Sequence, residues 1–121
     1  MRRVFDLDER LIIFAVKMID ISEVLPTSFA GTHLAGQLVR SGTAPALNYG
    51  EAQGAESRND FIHKMKISVK ELRETYNCLR IIKKKNWLPE NRIEPVLDEN
   101  HQLISIFVKS IETAKRNKAA Q

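Results

Sequence analysis

Seven basic side chains lie close together in the second half of the chain, where they could bind phosphate groups. Five of them recur at intervals that a helix would place on one narrow strip, with repulsion of about 0.2–0.5 kcal/mol per neighbouring pair, and Lys83 and Lys85 flank the end of that strip. Two interpretations remain open: a solvated face eased by Glu74 and other acids, or an electrostatic surface for the phosphates of RNA or DNA. No interleaved aromatic ladder accompanies these residues, so base stacking along the strip is not predicted. The residues are Lys66, Lys70, Arg73, Arg80, Lys83, Lys84 and Lys85.

Motifs for catalysis or metal binding are missing from the sequence. Glu71 and Glu74 form a close acidic pair, but no Glu-x-x-His motif accompanies them, and His33, His63 and His101 are scattered singly. The Walker A, GxGxxG and GxSxG patterns are absent. We therefore predict that the protein is not an enzyme and binds no cofactor or metal. An enzymatic alternative would require a bound metal or cofactor.

The length, charge and cysteine content predict one domain in the cytoplasm. The chain has 121 residues, which predicts a single domain over residues 1–121. Its net charge of +4 is uneven, because residues 1–56 carry 5 basic and 7 acidic side chains and residues 57–121 carry 14 and 8. The single cysteine, Cys78, excludes an internal disulfide and is typical of a reducing compartment. The apolar run 11–16 is too short for a membrane span, so no membrane partner is expected.

Four segments have the apolar periodicity of amphipathic helices, and no run alternates for long enough to predict a strand. Long helices joined by short connectors are antiparallel neighbours, so the sequence predicts an all-α, up-down-up-down antiparallel four-helix bundle. The first helix has an apolar line of Leu7, Leu11, Phe14, Met18, Ile21 and Leu25, and the third has a stripe of Phe61, Met65, Val69, Leu72, Tyr76 and Leu79. The predicted helices span residues 8–24, 32–55, 58–85 and 89–116.

The second helix contains residues that disfavour a helix. Thr32 is its predicted N-cap, and Pro45 in its interior costs on the order of 3 kcal/mol. Small residues such as Gly42 would let another backbone approach closely. Two structures remain open: one kinked helix held by tertiary packing, or two shorter helices broken at residues 42–43 with Pro45 opening the second.

Polar residues of the second and third helices are predicted to form a structural network that sets helix register. Arg40 and Glu51 are separated by about 16 Å along a helix and cannot pair with each other. Glu71 and Glu74 are candidate partners for Arg40, and Asn48 needs hydrogen-bond partners if it is buried. We favour this structural role over a catalytic one.

Several segments together carry a resemblance to a known family. They are LAGQLVRS at 34–41, NYGEA at 48–52, Ser57, Asp60-Phe61, and KELRETY at 70–76. In combination they resemble the four-helix-bundle proteins of the 23S rRNA intervening-sequence family over nearly the whole chain. The departures from the family pattern are Gly42, Pro45 and Gly50, which all lie in the second helix.

The resemblance implies a small bacterial protein that forms ring-like homo-oligomers, commonly pentamers. It also implies two possible partners, because related accessory proteins of diversity-generating retroelements are thought to bind nucleic acid and a reverse transcriptase. A protein–protein adaptor is therefore the alternative to nucleic-acid binding. Self-association is predicted independently, because the first helix is apolar over a wide face and Ile67, Cys78, Ile81 and Ile82 lie outside the core stripe of the third.

Overall fold

The fold consists of four α-helices. A computed structural model describes residues 6–120, with side chains for residues 6–117; residues 1–5 and 121 of the predicted domain lie outside this description. No strand occurs between residues 6 and 120, so the all-α prediction is confirmed. The helices, numbered in chain order, are α1 (Leu7–Val24), α2 (Phe29–Gln53), α3 (Arg58–Lys84) and α4 (Glu90–Ala120).

Side-chain and backbone caps explain where three of these helices begin. The Asp6 carboxylate accepts the backbone N–H of Asp8 at 3.1 Å, and the Ser57 hydroxyl accepts that of Asp60 at 3.0 Å. Pro89 was predicted inside the first turn of the last helix but precedes it, because its carbonyl accepts the first intrahelical N–H groups. Each cap satisfies a donor that the first turn leaves unpaired.

The start of α2 differs from the prediction. Ser28, and not Thr32, is the N-cap, because the Ser28 hydroxyl accepts the Gly31 N–H at 3.1 Å. The Thr32 N–H already donates to the Ser28 carbonyl at 2.9 Å, so Thr32 lies within the first turn. The helix therefore begins at Phe29, about one turn before the start at residue 32 that was predicted from the sequence.

Helix α2 is continuous through Pro45, so the alternative of two shorter helices is wrong for this chain. Ser41, Gly42, Pro45 and Ala46 are all buried, which places this weak part of the helix inside the protein. A side chain at Gly42 would put Cβ 2.5 Å from the Cγ atom of Met18 on α1. Helix α2 therefore packs closely against α1 at the point where its own sequence least favours a helix.

The core follows the predicted apolar line of α1 and continues along one face of α4. In α1, Leu11, Phe14, Met18 and Ile21 are buried, and Leu25 joins them after the helix ends. In α4 the buried apolar residues are Ile93, Val96, Leu97, Leu103, Phe107 and Ile111. Burial of these apolar side chains between the helices stabilises the fold through the hydrophobic effect.

The core face of α3 is wider than predicted. Met65, Leu72 and Leu79 are buried as expected, but Cys78 and Ile82 are buried too, although they were assigned to an outer flank. The physical reason is that α3 packs against α2 on one side and α4 on the other. The Cys78 thiol lies 3.7 Å from the Leu34 carbonyl of α2, so this flank is an intramolecular contact. Ile67 and Ile81 of the same flank remain exposed.

Each helix packs mainly against its neighbours in sequence, and the contact between α1 and α4 is smaller. That smaller contact includes a 2.7 Å ion pair between Arg10 and Glu99. Along the α2–α3 contact, Arg40 meets Glu71 whereas Glu51 meets Lys64, so residue numbers rise on one helix as they fall on the other.

A residue with left-handed backbone conformation follows the C-terminal end of α3. Asn86 has φ of 58°, and its N–H donates to the Lys83 carbonyl while the Trp87 N–H donates to that of Ile82. This pair of hydrogen bonds is a Schellman motif, in which asparagine tolerates the left-handed conformation better than most residues. The motif turns the chain directly after the basic end of α3.

None of the helices within residues 6–120 combines the length and apolar character needed to cross a bilayer.

Candidate nucleic-acid interface

The seven predicted basic residues, which we call the basic strip, are all exposed on α3 or at its C-terminal end. They are Lys66, Lys70, Arg73, Arg80, Lys83, Lys84 and Lys85. The buried residues of α3 occupy other helical positions, and four strip residues line hollows shared with α4: Arg73, Arg80, Lys83 and Lys84. One continuous helix thus aligns these charges over several turns.

Most of the strip is not neutralised by acids. Lys83 pairs with Glu94 of α4, and this hydrogen bond, together with the nearby negative charge, raises the pKa of Lys83. Among the described side chains, none of the other six strip residues has a carboxylate oxygen within 4.0 Å. Arg80 donates to the Asn77 side chain at 3.3 Å, and the Lys85 ammonium lies 5.9 Å from the centre of the Trp87 ring. The strip is therefore an exposed surface with excess positive charge.

Helix α4 adds two cations that sequence reasoning missed. Lys109 and Arg116 line a hollow of about 490 Å³ together with Arg73 of the strip. Glu112 is the acidic residue of the same hollow. The missed signal was the seven-residue spacing of Lys109 and Arg116, which puts both on one face of α4, two turns apart. The positive surface consequently extends from α3 across the α3–α4 groove.

A second hollow, of about 570 Å³, lies beside the C-terminal half of the strip. Arg80, Lys83 and Lys84 line it from α3, and Glu94 and Asp98 line it from α4. It adjoins the first hollow, because His101 lines both.

Two aromatic rings meet in this second hollow. The ring centroids of Tyr76 and His101 are 6.3 Å apart, with an angle of 46° between the planes. Tyr76 was assigned to the core stripe from sequence, but it is half-buried and its ring lines the hollow. We name this cavity the Tyr76 pocket; it is lined by Tyr76, Arg80, Lys83, Lys84, Asn86, Glu94, Leu97, Asp98 and His101.

Asn100 ties the two walls of the groove together. Its side chain is fully buried, and in the amide orientation that satisfies its neighbours, Nδ2 donates to the Leu72 carbonyl at 3.0 Å and Oδ1 accepts the Tyr76 N–H at 3.2 Å. A single polar side chain thereby fixes α4 against the backbone that carries Tyr76. Its position within an apolar helical period offered no sign of this role.

The predicted polar network separates into two ion-pair groups. Arg40 donates to Glu71 at 3.1 Å and also to Glu74 and Gln37, and the hydrogen bonds to Glu74 and Glu71 raise the pKa of Arg40. Glu51 instead accepts from Lys64 at 3.3 Å. Asn48 is half-buried and shares no hydrogen bond with either group among the described residues.

The fully buried polar contact between α2 and α3 involves different residues. The Thr75 hydroxyl is 2.8 Å from the Ser41 hydroxyl and also donates to the Glu71 carbonyl, and both side chains are fully buried. These hydroxyls lie among apolar residues, where an unpaired polar group would be costly. Ser41 is part of a family-like segment, but its buried partner was not predicted.

Possible metal ligands do not cluster in the described part of the chain. No group of three or more His, Cys, Asp or Glu side chains there could hold an ion. His33, His63 and His101 are exposed and separate. Cys78 is buried, and this burial, with a smaller contribution from the Glu74 charge, raises its thiol pKa from 9.0 to about 11.

Comparison with known proteins agrees with this architecture. A family model for the 23S rRNA-intervening sequence protein matches residues 7–109. The chain is also similar to a crystal structure from Bacteroides thetaiotaomicron, described as a protein of unknown function from the S23 ribosomal protein family. That similarity has 25% sequence identity and a TM-score of 0.82, and it covers 88% of this chain and 98% of the other. No curated protein matches the chain. Because the family match spans most of the helical region, the chain belongs to the 23S rRNA-intervening sequence protein family.

Proposed function

We propose that this protein is a non-catalytic, oligomeric four-helix bundle that binds RNA or DNA through the basic strip. The observation that carries the proposal is the exposed strip on α3, whose Arg73 lines one hollow together with Lys109 and Arg116 of α4. Cations distributed in this way attract the phosphates of a strand laid along the groove. The non-catalytic part rests on the sequence, which lacks the Walker A, GxGxxG, GxSxG and Glu-x-x-His patterns.

The electrostatic cost of the strip supports a ligand over a merely solvated face. Lys66, Lys70 and Arg73 succeed one another at helical spacing without a compensating carboxylate among the described side chains. Such like-charge neighbours disfavour the free protein slightly, and bound phosphates would reverse this effect. The paired Lys83 contributes less, because Glu94 already offsets its charge.

The proposed assembly is an up-down-up-down bundle that joins copies of itself into a ring, with five subunits as the expected number. The opposed residue order along the α2–α3 contact supports the topology. Self-association is supported by half-exposed apolar side chains of α1: Ile12, Ile13, Val16 and Val24 are 44–50% exposed. An apolar face of this kind is typical of protein–protein contacts. A cytoplasmic location belongs to the same proposal and rests on the single cysteine.

Salt-dependent binding tests the nucleic-acid proposal. Fluorescence anisotropy with labelled RNA and DNA should give an affinity that falls steeply with salt concentration. Replacing five strip residues by glutamine should abolish most binding; they are Lys66, Lys70, Arg73, Arg80 and Lys84. Equal affinity of this variant and the wild type would remove the proposed site.

A matched pair of double variants controls for net charge. Lys70→Gln with Arg73→Gln removes one lysine and one arginine from the strip. Lys17→Gln with Arg92→Gln removes the same residue types from a separate hollow between α1 and α4. Binding should weaken with the first pair and change little with the second. Equal losses would indicate a nonspecific response to net charge.

The assembly is tested by its mass in solution. Light scattering on the eluting protein should give a multiple of the 13.8 kDa chain. Ile12→Glu together with Val16→Glu should reduce that mass while the helical circular dichroism signal is retained, because both side chains are exposed in the single chain. A wild-type monomer at micromolar concentration would contradict the proposal.

A protein adaptor, such as an accessory protein of a reverse transcriptase, is the second candidate function. Phe29 supports it, because its side chain is 91% exposed and is therefore available to a protein partner. Affinity capture from the native host, with and without nuclease, separates the two functions. A protein partner that survives digestion and is lost with Phe29→Ser supports the adaptor; partners that disappear on digestion support nucleic-acid binding.

A further inference from the structure

The Tyr76 pocket combines features that phosphate binding alone does not require. Its volume of about 570 Å³ is within the range of roughly 300–1,000 Å³ that is common for small-ligand sites. The rings of Tyr76 and His101 lie on its wall, and cations from α3 lie beside them. An aromatic surface next to cations is the arrangement by which proteins hold an unpaired base of a nucleic-acid strand.

Charge within the pocket is divided between its two walls. Arg80 and Lys84 are on the α3 wall, whereas Glu94 and Asp98 are on the α4 wall. Glu94 is paired with Lys83, but Asp98 would repel phosphate from the α4 wall, so a strand's backbone would follow Arg80 and Lys84 on α3. The carboxylates can accept hydrogen bonds from the N–H groups of a base. The division therefore matches a nucleotide whose phosphates lie on α3 and whose base points toward α4.

We propose that the Tyr76 pocket holds one unpaired base of a single-stranded RNA or DNA, stacked against Tyr76 and His101, with the adjoining phosphates on Arg80 and Lys84. The proposal rests on the proposed function, and it makes single strands the preferred ligand. A base inside a duplex is stacked and paired and cannot enter the pocket without being extruded. Asn100, which precedes His101 in α4, supports the pocket by hydrogen bonds to the α3 backbone at Leu72 and Tyr76.

The test compares three labelled ligands of equal length: a single strand, its duplex, and a single strand whose bases are replaced by abasic sites. The wild type should bind the intact single strand about tenfold more tightly than either of the others, which is the usual scale of one base–aromatic stack. A 2-aminopurine base in the strand should lose fluorescence on binding, because stacking quenches it. A free mononucleotide should bind far more weakly than the strand, since it lacks the contacts along the basic strip.

His101→Ala is the informative variant, because His101 is exposed and its loss leaves the core intact. It should reduce single-strand affinity several-fold, reduce duplex affinity much less, and weaken the 2-aminopurine quenching. His33→Ala is the matched control, since His33 is also exposed and lies on α2, which lines neither hollow. Tyr76→Leu should have the same effect as His101→Ala.

The outcomes separate this inference from the proposed function. If oligonucleotides bind through the basic strip, but single strand, duplex and abasic strand bind equally, the pocket proposal is wrong and the proposed function stands. If no oligonucleotide binds, both are wrong. A mononucleotide that binds as tightly as the strand would make the pocket a site for a free nucleotide and would overturn its role in holding a strand.

Discussion

Three glycines of α2 allow the packing of this helix to be tested by one repeated substitution, glycine to alanine. A Cβ at position 42 would lie 2.5 Å from Cγ and 2.8 Å from Cβ of Met18, which is fully buried. The Met18 Cβ atom is fixed by the α1 backbone, so this contact can be relieved only if α1 and α2 move apart. At Gly36 and Gly50, by contrast, a Cβ would meet nothing within 4 Å. The same chemical change should therefore have opposite effects within one helix.

The magnitudes follow from two opposing contributions. Alanine favours a helix over glycine by about 1 kcal/mol, whereas overpacking a core costs about 1–3 kcal/mol. Because the contact at position 42 is so short, we expect Gly42→Ala to lower the free energy of unfolding by about 1–2 kcal/mol. Gly36→Ala and Gly50→Ala should raise it by about 0.5–1 kcal/mol.

Chemical denaturation followed by circular dichroism measures these changes, at one fixed protein concentration because association would shift the midpoint. A double-mutant cycle adds a direct test of the contact. In a Met18→Ala background the Cγ atom is gone, so Gly42→Ala should be less harmful than in the wild type. If Gly42→Ala is as stabilising as Gly36→Ala, the account of α1–α2 packing is wrong.

Three further predictions concern single residues. Burial, with help from the Glu74 charge, raises the Cys78 pKa from 9.0 to about 11. The protonated thiol therefore contributes fully to stability below pH 9, and this contribution is lost as pH rises to 11. The unfolding midpoint of Cys78→Ala should fall less over this range than that of the wild type. Asn86→Ala should destabilise by about 1 kcal/mol because φ is positive there, whereas Asn86→Gly should not, and thermal unfolding distinguishes them. Asn100→Ala should cost about 1–3 kcal/mol in urea unfolding, and a neutral result would show that its buried hydrogen bonds are not important.

Much of the helical architecture could be predicted because it depends on local pattern. Apolar spacing located all four helices, and the caps at Asp6 and Ser57 follow from their own side chains. The start of α2 could not be placed in this way, because its first turn holds the exposed Phe29 and no apolar period extends over it. Continuity through Pro45 also depends on packing by α1, which a local pattern does not contain.

The candidate site was predictable only in part. The strip lies along one helix, so the spacing of its residues in the sequence was enough to predict that Lys66 and Arg80 share one face. Lys109, Arg116 and His101 belong to α4, and their place beside the strip depends on how two helices pack. Cys78 was misplaced for the same reason, since α2 covers a flank of α3 that looks free from α3 alone.

The dependence of binding on salt, measured for the wild type and the five-residue glutamine variant, tests the central claim most directly. If the strip contacts phosphates, the logarithm of the association constant should fall linearly with the logarithm of salt concentration, and each lost contact should reduce that slope by about 0.7–0.9. A variant with an unchanged slope and unchanged affinity would contradict the claim that this surface binds nucleic acid.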